Sequence, residues 1–247
     1  METKTDVAVF ADPGALADAT AQTIVREAAA AVAARGRFLV ALAGGATPRE
    51  TYARLALPPR SEAMPWPRTF VFFGDERCVP PQHPESNYRM AHEMLLGKVA
   101  IPPSQVFRLR GESDDPEAAA AEYGRTLAEV FGTRRGEIPR FDLILLGMGL
   151  DGHTASLFPG SPALKEIFRP VAGVHAAAAA IPQRLTLTFP VLNAAACVVF
   201  IVAGAEKAKA VKAVLADGAM LPAGMVRPEN GRLLWLVDRA AAALLKA

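Results

Sequence analysis

Residues 141–161, F-D-L-I-L-L-G-M-G-L-D-G-H-T-A-S-L-F-P-G-S, constrain the fold of this chain more than any other stretch. The apolar run 143–146 has strand character and ends abruptly in Gly147, Gly149 and Gly152, with Asp151 and His153 among them and a Pro159-Gly160 break beyond. A buried strand is thus delivering polar chemistry to a loop. In open parallel sheets the ligand crevice lies just past the carboxyl ends of the strands, so a charged pair placed there is better situated for function than for packing.

The rest of the chain repeats the device. Residues 7–10 read as a strand, and Asp12-Pro13 caps a helix that closes at Gly36. A second strand, 38–43, stops in Gly44-Gly45, and Thr47-Pro48-Arg49-Glu50 follows as a capping box with Thr47 as N-cap and Glu50 reaching back. A third strand, 69–74, carries Asp75-Glu76-Arg77 at its end. Ser86 caps a helix to Leu96, residues 106–109 form a fourth strand, and Asp115-Pro116 opens a helix to about Phe131. After the focal strand come weak strands at 171–175 and 184–189, a strong one at 197–203, a helix at 206–215, a strand at 233–237 and a terminal helix. Strands alternate with helices throughout. The pattern predicts a single-domain, Rossmann-like α/β fold over residues 1–247, a mostly parallel sheet flanked by helices on both faces, with the Ala run 176–180 as a candidate subdomain edge.

Composition narrows the function classes. A net charge of +2 with no basic cluster argues against nucleic acid, so an anionic partner has to be met locally. The two cysteines, Cys78 and Cys197, cannot build a disulfide framework, and no leader or membrane span is legible, so a soluble cytoplasmic protein is expected.

Gly147-Met148-Gly149-Leu150-Asp151-Gly152 is a literal G-x-G-x-x-G after a strand. A dinucleotide site also needs a clean helix next and a carboxylate about twenty residues on, and here His153, Pro159, Gly160 and Pro162 intervene. The Gly44-Gly45 turn looks more like a phosphate cradle, since glycine lets the backbone approach an anion at a helix N-terminus. An ordinary strand-to-helix turn fits the same residues equally well, and without the Lys-Ser/Thr of a P-loop no nucleotide with magnesium is implied. His153 suits acid–base work, with Asp151 close enough to hold one tautomer. Ser156 lacks a nucleophile elbow, Cys78 reads as inert, and His83, Glu85 and His92 do not have metal-ligand spacing.

The motifs L-A-G-G-A-T-P, F-F-G-D-E-R-C-V-P, E-S-N-Y-R-M and G-M-G-L-D-G-H-T-A-S-L-F-P together resemble the 6-phosphogluconolactonase family, a branch of a sugar-phosphate superfamily that includes glucosamine-6-phosphate deaminase. The resemblance spans nearly the whole chain. It implies hydrolysis of 6-phosphoglucono-δ-lactone to 6-phosphogluconate in the oxidative pentose phosphate pathway, without metal or cofactor, by a monomer or weak homodimer. It also implies that His153 is the catalytic histidine and Asp151 its acidic neighbour. Gly44, Gly45, Thr47, Asp75, Arg77, Arg184 and Lys207 then match the phosphate and substrate contacts. Two alternatives stand beside this reading, a deaminase and a non-catalytic sugar-phosphate-binding regulator. In the deaminases, the resemblance implies, a glutamate lies five residues after the motif histidine; here that position is Phe158.

Overall fold

The structure is a computed structural model that describes residues 4–245 apart from Arg135 and Ala178. In chain order the elements begin with β1 (Lys4–Phe10), α1 (Pro13–Arg35), β2 (Phe38–Leu42), α2 (Ala46–Leu55) and a one-turn α3 (Arg60–Ala63). There follow β3 (Thr69–Phe73), β4 (Asp75–Arg77), α4 (Asn87–Ala91), α5 (Pro116–Phe131) and β5 (Leu143–Leu146). The chain continues through β6 (Val171–His175), β7 (Gln183–Leu187), α6 (Phe189–Ala194), β8 (Cys197–Val202), α7 (Ala208–Leu215) and β9 (Arg232–Asp238). Six strands form one sheet in the order β1-β9-β8-β5-β2-β3, every neighbouring pair parallel and the sheet flanked by helices.

Helices on a parallel sheet bury its inner strands, so these are apolar without alternation, whereas the edge strand β1 stays exposed. Every residue of β2, β5 and β8 is buried. Phe200 and Trp235 stack across β8 and β9 with centroids 4.0 Å apart, while Phe72 gathers the rings of Phe107, Phe131 and Phe141. The polar residue before β5 has a structural task. Asp142 is buried, accepts the Leu39 N–H at 2.8 Å, and takes the Arg35 guanidinium, which ties β5 to β2 and to the end of α1.

Four local expectations are corrected. Helix α2 starts at Ala46 with Gly45 as its N-cap, so Thr47 sits inside the first turn, and Glu50 pairs with Arg54 at 3.0 Å instead of reaching back. Gly45 has φ 106°, ψ 173°, a region open to glycine alone, which lets the helix begin earlier than Thr47 would allow. Residues 106–109 reach only an isolated bridge, Val71 to Val106, because the Tyr123 hydroxyl takes the Phe107 carbonyl that a ladder would use. Residues 239–245 form successive turns instead of a helix: the Asp238 carboxylate takes the Ala241 N–H at 2.7 Å, and Ala241, Ala242 and Leu245 pack against the core.

The largest difference lies outside the main sheet. Asp75–Arg77 are strand, and with β6 and β7 they make a second, antiparallel sheet in the order β4-β7-β6. The backbone leaves the main sheet at Gly74, whose carbonyl accepts the Leu187 N–H at 2.8 Å, and turns directly into β4. The Ala run 176–180 is part of the β6–β7 connection, with Ala178 outside the described residues.

Candidate active site

The C-terminal ends of β8, β5, β2 and β3 lie side by side, as their sheet order requires, and the turns beyond them surround a cleft of about 610 Å³. Its walls include Gly44, Gly45, Thr47, Asp75, Arg77, His153, Arg184 and Lys207, eight of the nine residues singled out from sequence. Asp151, the ninth, stands behind His153 rather than on the wall. Its Oδ1 lies 2.6 Å from His153 Nδ1 and accepts the His153 main-chain N–H at 3.1 Å. Burial raises the Asp151 carboxyl, but the N–H and the ring of His153 outweigh it and hold the acid below its usual value. With Nδ1 engaged, Nε2 is the nitrogen left for chemistry.

The 147–153 loop achieves this without a helix. Gly149 donates to the His153 carbonyl at 2.8 Å and Gly152 to the Gly149 carbonyl at 3.1 Å, a tight coil with Gly152 at φ 77°. A Cβ on Gly149 would fall 2.1 Å from His153 Nδ1, so glycine there makes room for the imidazole. The dinucleotide reading fails on the same geometry, because no helix N-terminus follows β5 to receive a pyrophosphate.

On the opposite wall Gly44 approaches Asn87 so closely that a Cβ would lie 1.9 Å from its Oδ1. No side chain caps α2, which leaves its first N–H groups turned to the cleft beside the positive end of the helix dipole. Tyr52 fixes the turn from below, its hydroxyl accepting the Ala43 N–H at 2.9 Å and donating to the Ala43 carbonyl at 2.8 Å. Arg77 and Arg184 are directly opposed across β4 and β7. Like charges in that register repel, and burial, then the Arg77 charge, pushes the Arg184 guanidinium below its usual value. Arg77 Nε is buried without a hydrogen-bond partner. Lys207, on the far side, donates to the Met148 carbonyl at 2.8 Å.

Sequence reasoning passed over three contributors. Asn87 is buried, donates to Asp75 Oδ1 at 3.1 Å and to the Asp75 carbonyl at 2.9 Å, and its signals were its place after the capping Ser86 and within E-S-N-Y-R-M, neither of which gave it a role. Glu206 lines the cleft beside Lys207. Tyr52, on the buried face of α2, carried no signal at all. Ser156 is buried and donates to Asp75 Oδ2 at 2.7 Å, an orienting role and not a nucleophile's. Burial raises the thiols of Cys78 and Cys197, so neither is activated. Among the described residues no three His, Cys, Asp or Glu side chains cluster as metal ligands, and no helix is long and apolar enough to cross a membrane.

Comparison with known proteins places the chain in a family. The profile of the family described as glucosamine-6-phosphate isomerases/6-phosphogluconolactonase matches residues 11–235. A 6-phosphogluconolactonase of Nostoc is 39% identical over 98% of this chain and 99% of its own. The human 6-phosphogluconolactonase is 41% identical over 97% of this chain and 93% of its own. The solved structure of 6-phosphogluconolactonase from Trypanosoma brucei superposes with a TM-score of 0.87 at 33% identity, covering 99% of this chain and 100% of that one.

Proposed function

The chain belongs to the glucosamine-6-phosphate isomerase/6-phosphogluconolactonase family, and from that membership we propose that it hydrolyses 6-phosphoglucono-δ-lactone to 6-phosphogluconate in the pentose phosphate pathway, with His153 as general acid–base. The observation that carries the mechanism is the shared cleft. An oriented Asp151–His153 pair faces the same space as two opposed arginines and an uncapped helix turn.

The ester carbonyl of a lactone is attacked by water once a base removes a proton. His153 Nε2 takes that proton as the oxygen–carbon bond forms, and Asp151 steadies the resulting imidazolium. When the tetrahedral intermediate collapses, the bond to the ring oxygen breaks and His153 returns the proton to that oxygen. The new carboxylic acid then ionises to solvent. Nothing is oxidised, and the histidine ends as it began.

The phosphate, remote from the reacting carbon, anchors the ring. Arg77 and Arg184 repel each other, Glu85 at 3.4 Å from Arg77 offsets that in part, and a dianion in the cleft relieves it further. Lys207, Gly44, Gly45 and Thr47 complete the proposed contacts, and Asp75, held by Ser156 and Asn87, keeps lone pairs free for sugar hydroxyls. The reading carries with it a cytoplasmic location, consistent with two unpaired cysteines, and a monomer or weak homodimer. The test is purified protein on fresh lactone beside glucosamine 6-phosphate: rapid acid release from the first with no ammonia from the second is expected, and ammonia release at a comparable rate would overturn it.

A further inference from the structure

We infer that Phe158 is a positioning residue for His153, a wall that presses the imidazole toward Asp151 and keeps Nε2 aimed into the cleft; this rests on the general acid–base role proposed above. The two rings lie 4.3 Å apart between centroids, tilted by 36°. Phe158 is half-buried, packs against the hydrophobic core, and is not among the residues lining the cleft. Its contacts are with the histidine and the core, so its influence on the cleft passes through His153.

The backbone between the two residues is shaped to make this contact. Residues 154–157 form a tight turn, with Leu157 donating to the Thr154 carbonyl at 2.9 Å, and Ala155 within it has φ 47°. Among the described residues it is the one non-glycine with positive φ, a conformation that costs a residue bearing a Cβ and persists only where neighbours impose it. Here they do. Thr154 Oγ1 donates to the Gly147 carbonyl at 2.8 Å, and Ser156 is fixed by Asp75 at 2.7 Å and by Thr186 Oγ1 at 3.2 Å. The result folds Phe158 back over the ring five residues earlier. Gly149 lies against the Nδ1–Cε1 edge and Asp151 holds Nδ1, so the imidazole is confined by three groups of different chemistry. A flat aromatic face suits both the neutral ring and the imidazolium formed when water gives up its proton, whereas an aliphatic side chain of similar bulk offers no such face.

The experiment compares F158L, F158Y and F158W with the wild type on the lactone. F158L is expected to lose roughly 5- to 20-fold in kcat with KM within about twofold, while F158Y and F158W stay within about threefold of wild type. Full kcat in F158L, or an equal loss in all three variants, would overturn the inference. A second readout needs no turnover. The His153 imidazole C–H resonances, assigned by their absence in H153N, are expected upfield in the wild type through the Phe158 ring current and near ordinary shifts in F158L. Unshifted wild-type resonances would overturn the contact even if F158L fails to fold. A wild type without lactonase activity would remove the proposed function, and the NMR arm would still decide the contact.

Discussion

His153 and Asp151 are separated by one residue, yet their relation depends on a hydrogen bond of 2.6 Å that most flexible loops would not hold. H153A should leave the fold intact and lower kcat roughly 10²- to 10⁴-fold, the usual worth of a positioned acid–base group. D151N, which keeps shape but loses the charge that steadies an imidazolium, should lower kcat roughly 10- to 10³-fold with little change in KM. Steady-state kinetics on the lactone checks both, and near-normal turnover by a folded H153A enzyme would remove the histidine from the mechanism. The arginines predict the opposite split. R77Q and R184Q should raise KM more than they lower kcat, because a phosphate that does not react contributes equally to ground and transition states. Inorganic phosphate should compete with the lactone in the wild type and less well in either variant; phosphate that fails to compete would put the anion site elsewhere.

At the scale of elements, the joint between β4 and α4 matters most. Glu76 is buried, and its two oxygens accept four bonds: Arg77 N at 2.8 Å and Asn87 N at 2.7 Å on one, Tyr88 N at 2.8 Å and Ser86 Oγ at 3.0 Å on the other. Burial raises this carboxyl and the bonds from Tyr88, Asn87, Arg77 and Ser86 oppose that rise, so the clamp holds the start of α4 at an electrostatic cost. Through it Asn87 is set against Gly44 and Asp75, and two walls of the cleft are fixed together. E76Q cannot accept at both ends, and one amide N–H would face another donor. The substitution should destabilise the protein by about 2–4 kcal/mol, the cost of leaving buried donors unpaired. Urea unfolding measures it, and an unchanged midpoint would mean that α4 is held by other contacts.

For the whole molecule, the cleft gathers its polar groups from the ends of four parallel strands and from a second sheet that shares Gly74 with the first. Such a site needs no further ion to bring its parts together if the cations for the substrate phosphate are Arg77, Arg184 and Lys207. Activity should accordingly survive EDTA, with kcat and KM unchanged within error after exhaustive chelation. Loss of activity restored by one divalent ion would overturn a metal-free mechanism.

Local sequence determined the alternation of strands and helices, because buried parallel strands must be apolar on both faces and their ends must be glycine, proline or a cap. Asp12, Ser86 and Asp115 cap α1, α4 and α5 as their side chains dictate, and Gly36 and Gly132 end α1 and α5 in the left-handed region. The Gly147–His153 loop was legible for the same reason, since its glycines and its Asp-x-His spacing act within one turn. Tertiary structure alone made Asp75–Arg77 a strand and joined it to the two weak strands legible at 171–175 and 184–189 as a second sheet, since nothing within Asp75–Arg77 declares a strand. It alone opposed Arg77 to Arg184, 107 positions apart in sequence. It also set Asn87 against Gly44 and Phe158 over His153, contacts whose energy depends on distance in space, to which the order of residues along the chain is blind.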